Sequence, residues 1–219
     1  MTKLDQARAH LASLGLGSIG PRPFDTLIQI PYGDAGTAAT IRHMGRLAVK
    51  GSRDPIVRLM AFEIMEGVPG RDHGSVARRF FDYLQDKRTG GEQSGVKFIN
   101  DAYRTEQVRA PWWTLLLEGG DCNSGFSTTL AALLMSVGIP CFFRTVAADP
   151  TRPDSFSHVY TVAVIRGDEL PLDASVQFST PGSEPAQIFR KQDWNIKVFD
   201  EDDSGDRGGL LGWLGRLVA

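Results

Sequence analysis

From Gly119 to Pro140 the chain reads GGDCNSGFSTTLAALLMSVGIP, and Phe126, Leu130, Leu133, Leu134 and Val137 recur there at helical spacing. Small residues such as Ala131 and Ala132 flank this stripe, which predicts a helix buried in the core. Asp121 has the right chemistry for an N-cap, since its carboxylate can accept a backbone N–H of the first turn. Gly138, Ile139 and Pro140 stop the helix, glycine taking the left-handed conformation and proline being unable to continue the ladder. Cys122 therefore falls in the first turn, where unpaired N–H groups and the positive end of the helix dipole favour thiolate over thiol.

Upstream of that helix the apolar period stays near 3.6. A short helix is expected over Leu4 to Leu14, then a Gly/Pro-rich exit, and a stretch of β character from Phe24 to Ile30. Thr37 to Lys50 carries Ile41, Met44, Leu47 and Ala48 at helical intervals and is closed by Gly51. Asp54 followed by Pro55 is an N-cap followed by proline at the first helical position, introducing Ile56 to Glu66. A further helix starts near Asp72 with Val76, Ala77, Phe80, Phe81 and Leu84 on one face. Val96 to Ile99 is a short strand candidate.

Downstream the period falls to 2. Cys141 to Ala147, Ser157 to Arg166 and Glu169 to Val176 read as strands, with a hairpin turn expected at Gly167 and Asp168. Ile188 to Phe199 adds one more strand candidate. Helices first and strands after predict an α+β domain, the cysteine helix packed on an antiparallel sheet. The expected division is a helical tail over 1–23, one domain over 24–199, and an acidic linker with a short C-terminal segment over 200–219.

Composition narrows the function classes. The 219 residues are 42% hydrophobic and 23% charged, as in an ordinary globular domain, and the net charge of -2 supplies no general attraction for nucleic acid. No run reaches transmembrane length, and MTKLDQARAHLASLGLG lacks the apolar centre of a secretory signal, so a cytoplasmic location is the expectation. The two cysteines, Cys122 and Cys141, lie outside any CxxC pair, which argues against a disulfide scaffold or structural zinc. Neither a metal nor an organic cofactor is expected: calcium-loop spacing is absent, and Glu201, Asp202, Asp203 and Asp206 form a solvated acidic run. His10, His43 and His73 lack metal-ligand spacing and are expected at the surface.

The candidate chemistry is a thiol, an imidazole and a carboxylate. Cys122 opens the central helix, His158 begins the first strand of the expected hairpin, and Asp173 lies on its second strand. These are the parts of an activated acyl-transfer nucleophile: the thiolate, its proton acceptor, and the group that orients the acceptor. A turn at Gly167 and Asp168 would set Asp173 opposite Val162, so that contact with His158 would need strand coiling or a bulge.

The segments GGDCNSGFSTTLAALLMSVGIPCFFR, SHVYTVAV and LPLDAS resemble the transglutaminase-like superfamily, with its Gly-Asp-Cys helix start, strand-borne His and following Leu-Asp. The match covers roughly Phe80 to Ser175, and VKFIND through TEQVRAPWWTL is most similar to transglutaminase-like proteins of tailed phages and prophages. The resemblance implies a fold related to papain-like cysteine proteases, with Cys122 as nucleophile, His158 as general base and acid, and Asp173 as orienting carboxylate. Gln107, Trp112 and Trp113 are the candidates for an oxyanion or substrate-binding donor. The implied activity is acyl transfer on protein or peptide amides through a thioester, ending in transamidation or hydrolysis. The alternative is a catalytically silent interaction module in phage virion assembly. The C-terminal GGLLGWLGRLVA groups Leu210, Leu211, Trp213, Leu214, Leu217 and Val218 on one helical face, either packing on its own domain or docking on a partner protein.

Overall fold

The computed structural model describes residues 30–85, 97–99, 107–117, 119–121, 123–176 and 178–197, with Ala9 and Ser13. Of the expected helix over Leu4 to Leu14 only Ala9 and Ser13 are described, both helical, and of the β stretch from Phe24 to Ile30 only Ile30; the acidic linker, the C-terminal segment, Cys122 and His10 lie outside the described residues.

Three helices come first: α1 (Asp34–Ser52), α2 (Pro55–Ile64) and α3 (His73–Gln85). Helix α1 begins earlier and ends later than its apolar pattern suggests, running through Gly51, which was expected to close it. Gly51 is in the helix because there is no room for a side chain: an added Cβ would lie 2.6 Å from Pro111 Cγ and 3.2 Å from Ala132 Cβ. Asp54 caps α2 as its residue type predicts, its Oδ1 accepting from the Ile56 N–H at 2.9 Å. On α3 the five apolar residues picked out by spacing, Val76, Ala77, Phe80, Phe81 and Leu84, are all buried.

Next come β1 (Lys97–Ile99), α4 (Pro111–Leu117), β2 (Gly119–Asp121) and the central helix α5 (Asn123–Ser136). Asp121, the expected cap, is described in its backbone alone. It closes β2, which pairs parallel with β1 and sets Asp121 against Ile99. Helix α5 is buried from Ser124 to Leu134 and touches α1, α2, α3 and α4 as well as the sheet. Its end follows the expected chemistry. Gly138 has φ 80, its N–H donates to the Met135 carbonyl, and the Ile139 N–H donates to the Leu134 carbonyl, the paired bonds of a glycine C-cap.

Strands β3 (Cys141–Ala147), β4 (His158–Ile165), β5 (Asp168–Leu172) and β6 (Arg190–Asn195) form one antiparallel sheet in the order β5-β4-β3-β6. One sheet face meets the helices: Phe143 and Val159 join Ile41, Met44, Ala48 and Ala131, while Ala163 and Leu172 join the α2, α3 and α5 core. On the other face Val146, Tyr160 and Val162 pack with Phe142, Ala148 and Ile188. The result is an α+β domain with its helices against a four-stranded antiparallel sheet.

Candidate active site

The β4–β5 hairpin turns one residue earlier than its sequence suggests. Ile165 pairs with Asp168, which leaves Arg166 (φ 55) and Gly167 (φ 95) as the two central residues. Two consecutive positive φ values are those of a type I′ turn, whose twist matches antiparallel strands, with glycine in its second position. The expected turn at Gly167 and Asp168 is thereby corrected, and the register with it. Thr161 pairs with Leu172, so the next step sets Asp173 against Tyr160 rather than Val162. His158 is then the diagonal neighbour on the same face, within ordinary cross-strand reach and without a bulge.

That proximity is realised as a hydrogen bond. His158 Nε2 lies 2.5 Å from Asp173 Oδ2, and both side chains are shielded, the carboxylate being only 4% exposed. Asp173 is itself held from behind: its Oδ1 accepts from the Ser175 N–H at 3.2 Å and the Ser175 hydroxyl at 2.7 Å. One carboxylate oxygen thus faces the imidazole while the other is occupied by a local turn. The Val176 carbonyl, just beyond, accepts from Gln85 Nε2 at 2.8 Å, fixing the segment to the end of α3.

Helix α5 runs in the same direction as β4. Near its start the Ser127 hydroxyl donates to the Val159 carbonyl at 3.2 Å, and the Thr161 hydroxyl donates to the Ser127 carbonyl at 2.8 Å. One turn on, the Cys141 thiol donates to the Ala131 carbonyl at 3.8 Å, and Cys141 is the partner of Ala163 farther along β4. The N-terminus of α5 and the first residue of β4, His158, therefore share one end of the sheet. Cys122 precedes the first residue of α5 in the sequence.

Gln107 is brought to the same end. Its carbonyl accepts from the Ser124 hydroxyl at 3.1 Å in the first turn of α5, and its side-chain Oε1 accepts from Arg109 Nη2 at 2.7 Å. The bond from Arg109 orients the amide so that its NH2 faces the other way. Trp112 is packed against Ile56 and Leu116, and Trp113 meets it edge to face with ring centroids 5.3 Å apart. Of the other residues singled out from sequence, His43 and His73 are half-buried rather than at the surface. Burial, with the charges of Arg46 and Lys50, holds the His43 imidazole below its ordinary value. Cys141 is no competitor as a nucleophile, since burial pushes its thiol up to about 12.

A cleft of about 450 Å³ opens beside the pair, lined by His158, Asp173, Val176, Phe178, Glu184 and Pro185 among others. Phe178 is 72% exposed and has φ 61, an unusual backbone for a bulky residue. Glu184 is tied to the sheet. Its Oε1 accepts from the Tyr160 hydroxyl at 2.6 Å and from Arg144 Nη1 at 3.0 Å. Arg144 is buried beneath and also binds Asp193 through two hydrogen bonds, at 2.7 and 2.8 Å, and Glu169 at 2.9 Å. Burial works to raise the Glu184 carboxyl, but the bonds from Tyr160 and Arg144 outweigh it and leave the group below its usual range. Sequence reasoning passed over these residues. The available signal was Arg144, a charge inside the otherwise apolar strand CFFRTVA, which must be paired if that strand is buried.

No protein-family model matches the chain, and no curated protein gives a significant match. Two solved structures follow part of its course. One is a proposed cysteine protease from Cytophaga hutchinsonii, 18% identical, with a TM-score of 0.38 and coverage of 64% of this chain and 48% of that one. The other is a proposed protease from Parabacteroides distasonis, 14% identical, with a TM-score of 0.48 and coverage of 72% and 32%. The chain thus spans about half the length of the first protein and about a third of the second.

Proposed function

We propose that the protein is a cysteine-dependent acyl-transfer enzyme of transglutaminase-like type, acting on protein or peptide amides through a thioester. One observation carries this reading: the 2.5 Å contact between His158 Nε2 and Asp173 Oδ2, at the end of the sheet where α5 begins. An imidazole that donates Nε2–H to a carboxylate keeps Nδ1 as its basic nitrogen, the tautomer a proton acceptor for a thiol requires.

In this scheme His158 Nδ1 takes the proton of the Cys122 thiol, and the sulfur attacks the carbonyl carbon of the amide. The carbonyl electron pair moves to oxygen, and the NH2 of Gln107 is the donor we assign to that oxyanion, supported by the bond of Gln107 to the first turn of α5 and by the hold of Arg109 on its Oε1. Trp112 is drawn into the core and serves this role less well. On collapse the C–N bond breaks and the proton passes from His158 to the departing amine, leaving a thioester on Cys122. Water or a primary amine then loses its proton to Nδ1, attacks the thioester carbon and releases the thiolate.

Alkylation tests the assignment directly. Iodoacetamide below pH 8 is expected to label Cys122 much faster than Cys141, and His158→Ala should remove the fast labelling of Cys122. Incubation with casein and a fluorescent primary amine then separates amine incorporation from hydrolysis, both expected to vanish in Cys122→Ala. Equal, slow labelling of the two cysteines, indifferent to His158→Ala, would overturn the proposal.

A further inference from the structure

We propose that Tyr160 and Glu184, founded on Arg144, are positioning residues that lock the His158–Asp173 pair and hold the cleft wall over it. The inference rests on the reading of His158 as the catalytic base. Tyr160 lies next to His158 on the same face of β4, and their rings are 5.9 Å apart at 37°. Asp173 follows Leu172, the last paired residue of β5, and the register continued one step brings it toward Tyr160. The phenol is therefore flanked by both members of the pair, and its far end is fixed by the 2.6 Å bond to Glu184.

Glu184 does a second thing with the same oxygen. Because it belongs to the wall that includes Val176, Phe178 and Pro185, its bonds to Tyr160 and Arg144 fasten that wall to the sheet. The other end of the wall is fastened by Ser175 to Asp173 and by Gln85 to the Val176 carbonyl. A segment tied at both ends beside an imidazole–carboxylate bond restricts the movement of that wall, limits solvent at the bond and preserves its direction. Arg144 gives the anchor its rigidity. Its guanidinium is committed to three carboxylates at once, so Glu184 cannot shift without disturbing Asp193 and Glu169.

The test follows one proton, the Nε2–H of His158, by NMR of the full chain at pH 7, assigned by its loss in His158→Ala. In the wild type it is expected to exchange slowly with solvent. Tyr160→Phe keeps the ring and removes only the hydroxyl, so exchange should accelerate about fivefold to tenfold, the weight of one hydrogen bond. Glu184→Ala should do at least as much. Glu184→Gln retains an oxygen that can accept from both Tyr160 and Arg144, and should stay within about twofold of wild type. A role confined to packing would leave the imidazole proton unchanged in Tyr160→Phe while the backbone amide spectrum stays native, and that result overturns the proposal. So would fast exchange in the wild type, or Glu184→Gln behaving like Glu184→Ala. The readout does not involve Cys122. Failure here removes Tyr160 and Glu184 from the mechanism, whereas failure of the alkylation test removes the enzyme.

Discussion

Asp173 has two oxygens with separate duties, and the separation makes the aspartate hard to replace. Oδ1 receives both donors of Ser175, while Oδ2 faces His158. An asparagine would leave its carbonyl with Ser175 and turn its NH2 toward the imidazole, forcing Nε2 to accept and placing the proton on Nδ1. Asp173→Asn is therefore expected to slow amide turnover by about a hundredfold or more, although the two side chains have nearly the same shape. Adding Ser175→Ala should restore part of the loss by freeing the amide to rotate, and steady-state kinetics of the single and double variants check this. At this scale the sequence was informative about His158 and Asp173, because their chemistry is written in residue type, although Asp173 falls one residue beyond β5 and not on the strand as expected. Tyr160 and Glu184 were not legible, since their roles depend on which strand face meets which loop and Glu184 lies in a segment without periodicity. Arg144 announces only that a charge in an apolar strand must be paired, and not with what.

Among the elements, α5 matters most because its direction sets where its first turn lies. Apolar spacing, the small flanking residues and the Gly-Ile-Pro exit made the helix and its C-terminus readable, and the local bonds at Gly138 match. The hairpin was readable as a hairpin but not in register. The tetrad Arg166, Gly167, Asp168, Glu169 allows glycine in the first or the second turn position, and only the cross-strand partners decide between them. Gly51 illustrates the same limit: local propensity reads a glycine as a helix end, whereas tertiary contact uses it as a gap through which α4 and α5 approach α1. Filling the gap should force those helices apart. Gly51→Ala is expected to cost about 1–3 kcal/mol despite alanine's better helix propensity, measured as a lower urea midpoint with an unchanged slope. A variant as stable as wild type would mean that Pro111 yields easily.

For the whole molecule, half-buried His43 on α1 and the more exposed Glu184 between β5 and β6 link stability to pH in separate windows. His43 on α1 is held below its ordinary value of 6.5 by burial and by Arg46 and Lys50, so the unfolded chain takes up its proton first. Stability contributed by neutral His43 is present above pH 6.5 and is lost as pH falls from there toward the lower folded value. Glu184 is also lowered, from 4.5, so its contribution is present above pH 4.5 and is lost as pH falls through the folded value. Asp34, Asp72 and Asp149, also lowered, act in the same direction in the acid range, while Asp82, raised by burial, opposes them. Because the lowered carboxylates act only in that lower window, and raised Asp82 works in the opposite direction, a loss that starts just below pH 6.5 isolates the histidine. Thermal melting temperature is expected to begin falling just below pH 6.5 in the wild type, and His43→Gln should flatten that upper limb while leaving the steeper loss below pH 4.5 intact. Glu184→Gln should do the reverse, softening only the lower limb. If His43→Gln leaves the upper limb in place, the proton uptake belongs to another group, and the burial of His43 against its neighbouring cations is not what couples α1 to pH.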